Sequence, residues 1–189
     1  PLFMAREVVD ANDVHVFSSN YALYGDMSRR VMNYLSSLVK AVEIYSIDEC
    51  FLDVTCVEDL TAFGILVRAN VLKRTHIPVC IGIAPTKTLA KLANRIAKKS
   101  ESGVCVLDTW EKIQSALAAT DVGDIWGVGS AYNKKLLNAG IQKAIDFIKL
   151  DSNWVNLHLG GVVGLRMHLE LRGSPALGLQ KSEDGTSTR

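Results

Sequence analysis

Leu23, Met27, Val31, Leu35 and Leu38 step along the chain by four or three. That spacing puts them on one side of a helix, so Tyr21 to Val39 predicts an amphipathic helix. Ser19 or Asn20 stands where a side chain can cap its first turn. Val14 to Ser18, just before it, predicts a short strand. Beyond the helix the period falls toward two. Val42 and Ile44 mark one strand, and Cys50, Phe51, Leu52, Val54 and Thr55 mark a second. Asp59 can cap a helix running to about Arg74, with Leu60, Phe63, Val67 and Val71 on one side. Pro78 interrupts the pattern, and Val79 to Ala84 (VCIGIA) has the length of a buried strand. Thr86 caps a predicted helix from Lys87 to Lys99, with Leu89, Leu92, Ala93 and Ile96 facing one way. Lys87, Lys91, Arg95 and Lys98 step by four, four and three and share the other face. Gly103 to Leu107 (GVCVL) predicts another strand. From Trp110 onward only helical patterns remain: Glu111–Ala118, Ser130–Ala139, Lys143–Leu150 and Val162–Leu171, separated by Gly-containing breaks. The order predicts an α+β domain, a mixed sheet with helices on one side, followed by a small all-helical domain.

Composition narrows the class. The 189 residues are 48% hydrophobic, enough for a real core, and no apolar run approaches the ~20 residues of a membrane span. There is no secretory leader, and the chain starts at Pro1, which reads as a fragment or a processed product. Cys50, Cys56, Cys80 and Cys105 show no ligand spacing and read as reduced thiols in a cytoplasmic protein. His15, His76, His158 and His168 form no metal motif and read as structural.

Net charge is +1, but it is unevenly distributed. Leu60 to Ser100 contains no Asp or Glu and eight cations, which leaves the rest of the chain with 13 cations against 20 acids, net −7. A segregated positive segment points to a polyanionic ligand. The plainer reading is a solvated helix face.

Two motifs carry candidate chemistry. Asp48 and Glu49 are adjacent between the two strands of the predicted hairpin. On a strand they would face opposite ways, but a turn lets both reach one ion. Two hard oxygen ligands suit Mg²⁺, which keeps its other sites for water and substrate phosphate. Such ions assist phosphoryl transfer. The plainer reading is that the two acids decorate an exposed turn. The second motif is IWGVGSAYNKKLLNAGI, Ile125 to Ile141, in the form of a helix-hairpin-helix. Its glycines let backbone approach a phosphate, and free amides at the next helix start can bond it. Lys134 and Lys135 add charge.

Taken in order, YSIDECFLDVT resembles the catalytic palm signature of Y-family translesion DNA polymerases. VCIGIAPTKTLAKLANRIAKK resembles the strand and basic helix that follow it, and IWGVGSAYNKKLLNAGI resembles the thumb helix-hairpin-helix. FSSNYALYGDMSRRVM is most similar to the UmuC-like branch. The resemblance covers roughly Pro1 to Leu177. It implies an error-prone DNA polymerase with Mg²⁺ as cofactor and primer–template DNA, damaged DNA and dNTP as ligands. It implies metal-binding, catalytic acids at Asp48 and Glu49 and a triphosphate-contacting lysine at Lys98. It implies DNA-binding backbone at Gly127, Val128, Gly129 and Ser130, with Lys134, Lys91 and Arg95 as DNA-binding cations. Tyr45 and Ser46 would shape the hairpin, and Asp53 reads as structural. The implied setting is SOS mutagenesis and DNA repair, with a UmuD′-like subunit, RecA and a sliding clamp as partners.

The implied domains are the end of a fingers region at 1–12, a palm at 13–108, a thumb at 109–178 and a disordered tail at 179–189. Another family Asp, on a strand with a guarding aromatic, would precede Pro1, and a little finger would follow the thumb. Asp10 and Asp13 lack that strand context. The 189 residues alone are therefore expected to show little or no polymerase activity. Two other readings stay open: a non-catalytic DNA-binding remnant, and a nucleotide cyclase-like palm with paired acids. The helix-hairpin-helix argues against the cyclase, which needs no duplex grip.

Overall fold

The computed structural model describes residues 1–180. The chain runs α1 (Leu2–Ala11), α2 (Tyr21–Ser36), β1 (Val42–Ile44), β2 (Cys50–Leu52), α3 (Leu60–Thr75), β3 (Ile81–Ile83), α4 (Lys87–Ala97) and β4 (Val104–Val106). Helices follow: α5 (Trp110–Ala119), a 3₁₀ turn (Val122–Asp124), α6 (Ser130–Asn138), α7 (Ala144–Phe147), α8 (Ser152–His158) and α9 (Val162–Leu171). The α+β class and the all-helical second half are as expected. Three predicted caps form: the side chains of Asn20, Asp59 and Thr86 accept from the amides of Leu23, Ala62 and Leu89. Each satisfies an amide that the first helical turn leaves without a partner.

The strands depart from expectation. They form two separate ladders, β1 antiparallel to β2 and β3 parallel to β4, and no backbone ladder joins β2 to β3. Val14 to Ser18 forms no strand. Val14, Val16 and Phe17 are exposed, and the Val14 amide donates to the Val9 carbonyl of α1 rather than to a strand. Helix α8 escaped the pattern reading, because seven residues (SNWVNLH) are too short for a period to declare itself.

Two cores organise the chain. The smaller gathers Val31, Met32 and Leu35 of α2 against Val67 and Val71 of α3. The larger joins Leu89, Leu92 and Ala93 of α4 to the helices beyond Trp110, including Leu117, Leu136, Phe147, Val155 and Leu171. Helix α4 is thus packed on both sides, with β3 on one and the C-terminal helices on the other. Gly82 makes the first contact so close. A Cβ there would lie 2.1 Å from the Asn94 amide nitrogen and 2.4 Å from the Ala90 carbonyl oxygen.

The segment after α9 folds back over the hairpin. The Gln180 amide donates to Glu43 Oε2 at 2.6 Å, and Lys87 Nζ donates to the Gly178 carbonyl at 2.8 Å. Leu179 and Gln180, expected to open a disordered tail, are therefore docked. The rest of that expected tail lies outside the described residues. Among the described residues, no helix is long and apolar enough to cross a membrane.

Candidate active site

The β1–β2 ladder closes with the pair Ile44–Cys50, so residues 45–49 form its connection. The amides of Tyr45 and Ser46 both donate to the Glu49 carbonyl at 3.0 Å. Ser46 Oγ donates to Asp48 Oδ1 at 2.7 Å and accepts from the Asp48 amide at 3.4 Å. Ser46 thus holds Asp48 within a tight turn, which breaks the alternation of a strand. Asp48 and Glu49 both line one cavity of about 190 Å³ between α2, the hairpin, α3, β3 and α4. Asn94 lines the same cavity, and its side-chain oxygen is buried with no hydrogen-bond partner among the described residues.

Helix α4 turns its cations toward acids from elsewhere in the chain. Lys91 Nζ lies 2.6 Å from Glu49 Oε1. Lys87 pairs with Glu43, both about one-tenth exposed. Arg95 Nη2 lies 2.5 Å from Asp124 Oδ2. The basic face read from the sequence is therefore largely neutralised within the fold, its partners lying outside the acid-free segment. Lys98 caps the far end of α4 and is exposed, seven residues and about 10 Å of helix beyond Lys91. It does not meet the acids.

Trp126 completes the arrangement. Its ring stands edge-on to Tyr45, with centroids 5.5 Å apart at 85°, and lies 5.9 Å from Phe51. Lys91 Nζ is 5.7 Å from the centroids of both Tyr45 and Trp126. The next residue, Gly127, has φ +96°, a left-handed conformation that favours glycine. Gly127, Gly129 and Ser130 are exposed, and no side chain caps the start of α6. Val128 differs: its side chain is buried and its amide donates to the Ile125 carbonyl at 3.0 Å, so that amide is already used. Lys134 is exposed on α6, and Lys135 donates to the His158 carbonyl at 3.1 Å.

The remaining candidates have structural roles. Asp53 accepts from the Thr55 hydroxyl and amide, which hold its carboxyl below the usual range. Burial pushes the Cys50 thiol up to about 11, which keeps it protonated and unreactive at neutral pH. Among the described residues no three His, Cys, Asp or Glu side chains gather as a metal cluster. The donor set in the cavity still suits a hard cation: two carboxylates from adjacent residues and one unpartnered amide oxygen, with no sulfur or imidazole required. Sequence reasoning missed Glu43, Asn94 and Trp126. Only Trp126 left a signal, a large aromatic where a glycine turn begins.

Residues 1–95 match the model of the impB/mucB/samB family. Protein UmuC of Salmonella typhimurium is 48% identical over 96% of this chain and 44% of that protein. Protein MucB of Escherichia coli is 37% identical over the same shares. The chain thus spans less than half the length of these relatives. Among solved structures, an insertion ternary complex of Dbh DNA polymerase superposes with a TM-score of 0.77 at 27% identity, covering 95% of this chain and 52% of the other. DinB from Sulfolobus solfataricus gives 0.72 at 28% identity, covering 92% and 53%. The chain belongs to the impB/mucB/samB family.

Proposed function

We propose that this chain carries the catalytic palm acids and the DNA-holding thumb of an error-prone translesion DNA polymerase. The observation that carries the reading is the convergence of Asp48 and Glu49 on one cavity. Beside it stand the cations of α4 and, one residue past Trp126, a glycine turn that opens a helix. The reaction is attack of a primer 3′-oxygen on the α-phosphate of a bound dNTP; the new O–P bond forms as the bond to the pyrophosphate leaving group breaks. Asp48 and Glu49 would hold Mg²⁺, which when bound supplies Lewis-acid polarisation and offsets negative charge. Ser46 bonds the Asp48 carboxylate at the turn, and Lys91 pairs with Glu49. Lys98 would meet the triphosphate from the far end of α4. Gly127, Gly129 and Ser130 would grip backbone phosphate at the start of α6, with Lys134 adding charge. Such contacts position a duplex without reading its sequence, as a polymerase of damaged templates requires. Lys91 and Arg95 bind internal acids first and would reach DNA only after exchange. The biological partners proposed on family grounds are a UmuD′-like subunit, RecA and a sliding clamp, in the cytoplasm.

The Lys91–Glu49 pair favours one rival, in which the acids are internal ion-pair partners in a non-catalytic DNA-binding protein. The test is Asp48→Asn in a chain that also carries the further metal-binding Asp of the family. Loss of Mg²⁺-dependent primer extension with duplex binding retained supports the polymerase. Unchanged extension overturns it.

A further inference from the structure

Lys91 has three partners at once, and their distances are unequal in kind. The Glu49 carboxylate is at 2.6 Å, a direct charge-assisted bond. The Tyr45 and Trp126 centroids are both at 5.7 Å. An ammonium is attracted by a ring face out to about 6 Å, so both rings hold it at the edge of their reach. The carboxylate keeps the ammonium off the rings. The rings themselves are fixed, because Tyr45, Phe51 and Trp126 pack on one another with centroids 5.5 to 5.9 Å apart. Tyr45 and Glu49 belong to the hairpin, whereas Trp126 comes from the turn that opens α6.

We propose that Trp126 is a positioning residue: with Tyr45 it forms a second seat for the Lys91 ammonium, which lets Glu49 exchange Lys91 for a divalent cation. The inference rests on the polymerase reading of Asp48 and Glu49. A cation at Glu49 repels the ammonium, which must then leave the carboxylate. With the rings in place it moves onto an electron-rich face close by, and tryptophan offers the strongest such face. Without Trp126 the seat is half gone, and Lys91 competes with the metal for Glu49. Metal affinity is thereby tied to the seating of the glycine turn on the hairpin.

The probe is Mn²⁺ alone, followed on the 189-residue chain by the spectroscopic signal of the free ion. Trp126→Leu is expected to weaken Mn²⁺ binding about fivefold, with Trp126→Phe within about twofold of the parent. Lys91→Met is expected to tighten binding, and Trp126→Leu added to it to have no further effect. A Trp126→Leu effect of equal size with and without Lys91 overturns the inference and leaves the polymerase reading standing. Mn²⁺ binding that is indifferent to Asp48→Asn overturns that reading, and this inference with it. If Trp126→Leu does not fold, the Trp110→Phe/Trp154→Phe variant serves, with Trp126 as the sole tryptophan. Its emission should shift on Mg²⁺ addition and cease to shift once Lys91→Met is added. Emission blind to Mg²⁺ overturns the inference.

Discussion

Glu170 of α9 accepts a hydrogen bond at 3.0 Å from the backbone amide of Thr88, 82 residues earlier, in the first turn of α4. Its other oxygen accepts from the amides of Ala176 and Leu177 at 2.7 and 3.0 Å. The carboxylate is fully buried and is met by three amides and the positive end of a helix, with no cation paired to it among the described residues. The same residue's carbonyl accepts the Thr86 hydroxyl at 2.8 Å. Glu170 therefore joins the last helix, the returning segment and the basic helix. Glu170→Ala leaves three amides without an acceptor and should lower stability by about 3–5 kcal/mol. Glu170→Gln, which keeps one acceptor oxygen, should cost less. Urea unfolding checks this, with a loss under 1 kcal/mol for Glu170→Ala counting against it.

Gly82→Ala should be as damaging from the other side of α4. The added methyl meets backbone atoms of Asn94, Ala90 and Ala93, none of which can rotate away. Helix α4 must lift off β3, at a cost of about 3 kcal/mol or more. The displaced helix carries Lys91 away from Glu49, so the variant should also lose Trp126-dependent effects at the acids. Normal stability for Gly82→Ala would show that β3 and α4 are looser than described.

Much of this architecture was legible, and apart from the short helix α8 the failures share a cause. Helix α4 announced itself through Thr86, the four apolar positions and the four stepped cations, all within one helix length. The hairpin announced itself through alternation on either side of the acids. What the sequence hid is contact between distant segments. Lys87 meets Glu43 and Lys91 meets Glu49 across 44 and 42 residues, so a local charge count described a basic face that the fold neutralises. Val14 to Ser18 alternates like a strand, yet a strand needs a neighbour that local pattern cannot supply. Glu170 sat in a predicted helix with nothing to mark it as buried. That Asp48 and Glu49 share one turn was legible because a turn is local; the partners that surround them were not.

His168 gives the fold a pH dependence. It is buried against Phe147, with ring centroids 5.6 Å apart at 82°, and Nε2 lies 3.2 Å from the Ile148 carbonyl. Burial pushes its pKa below the ordinary value, outweighing the hydrogen bond that favours the charged form. The unfolded chain takes up a proton near pH 6.5, before the folded chain does. Stability from this site is complete above that pH and is lost as pH falls toward the lower folded value. The melting temperature should drop between pH 7 and 5.5. His168→Gln should lower it at pH 7 but flatten its slope across that window. An unchanged slope would assign the acid sensitivity elsewhere.

The pair between Arg95 and Asp124 bears on how DNA would be gripped. Both side chains are more than a third exposed, so the pair contributes little to stability, about 0–1 kcal/mol. Its effect is to occupy a cation of α4 with an acid that lies three residues of chain before the Gly127 turn. Asp124→Asn frees that cation with almost no structural cost. If Arg95 faces the duplex, the variant should bind primer–template more tightly. The slope of log affinity against log salt should steepen by about 0.9, the counterion release of one further phosphate contact. Adding Arg95→Gln should return the slope to the parent value. Fluorescence anisotropy over a salt series measures both. A slope unmoved by Asp124→Asn would place Arg95 away from the duplex and leave the grip to Lys134 and the backbone amides of the glycine turn.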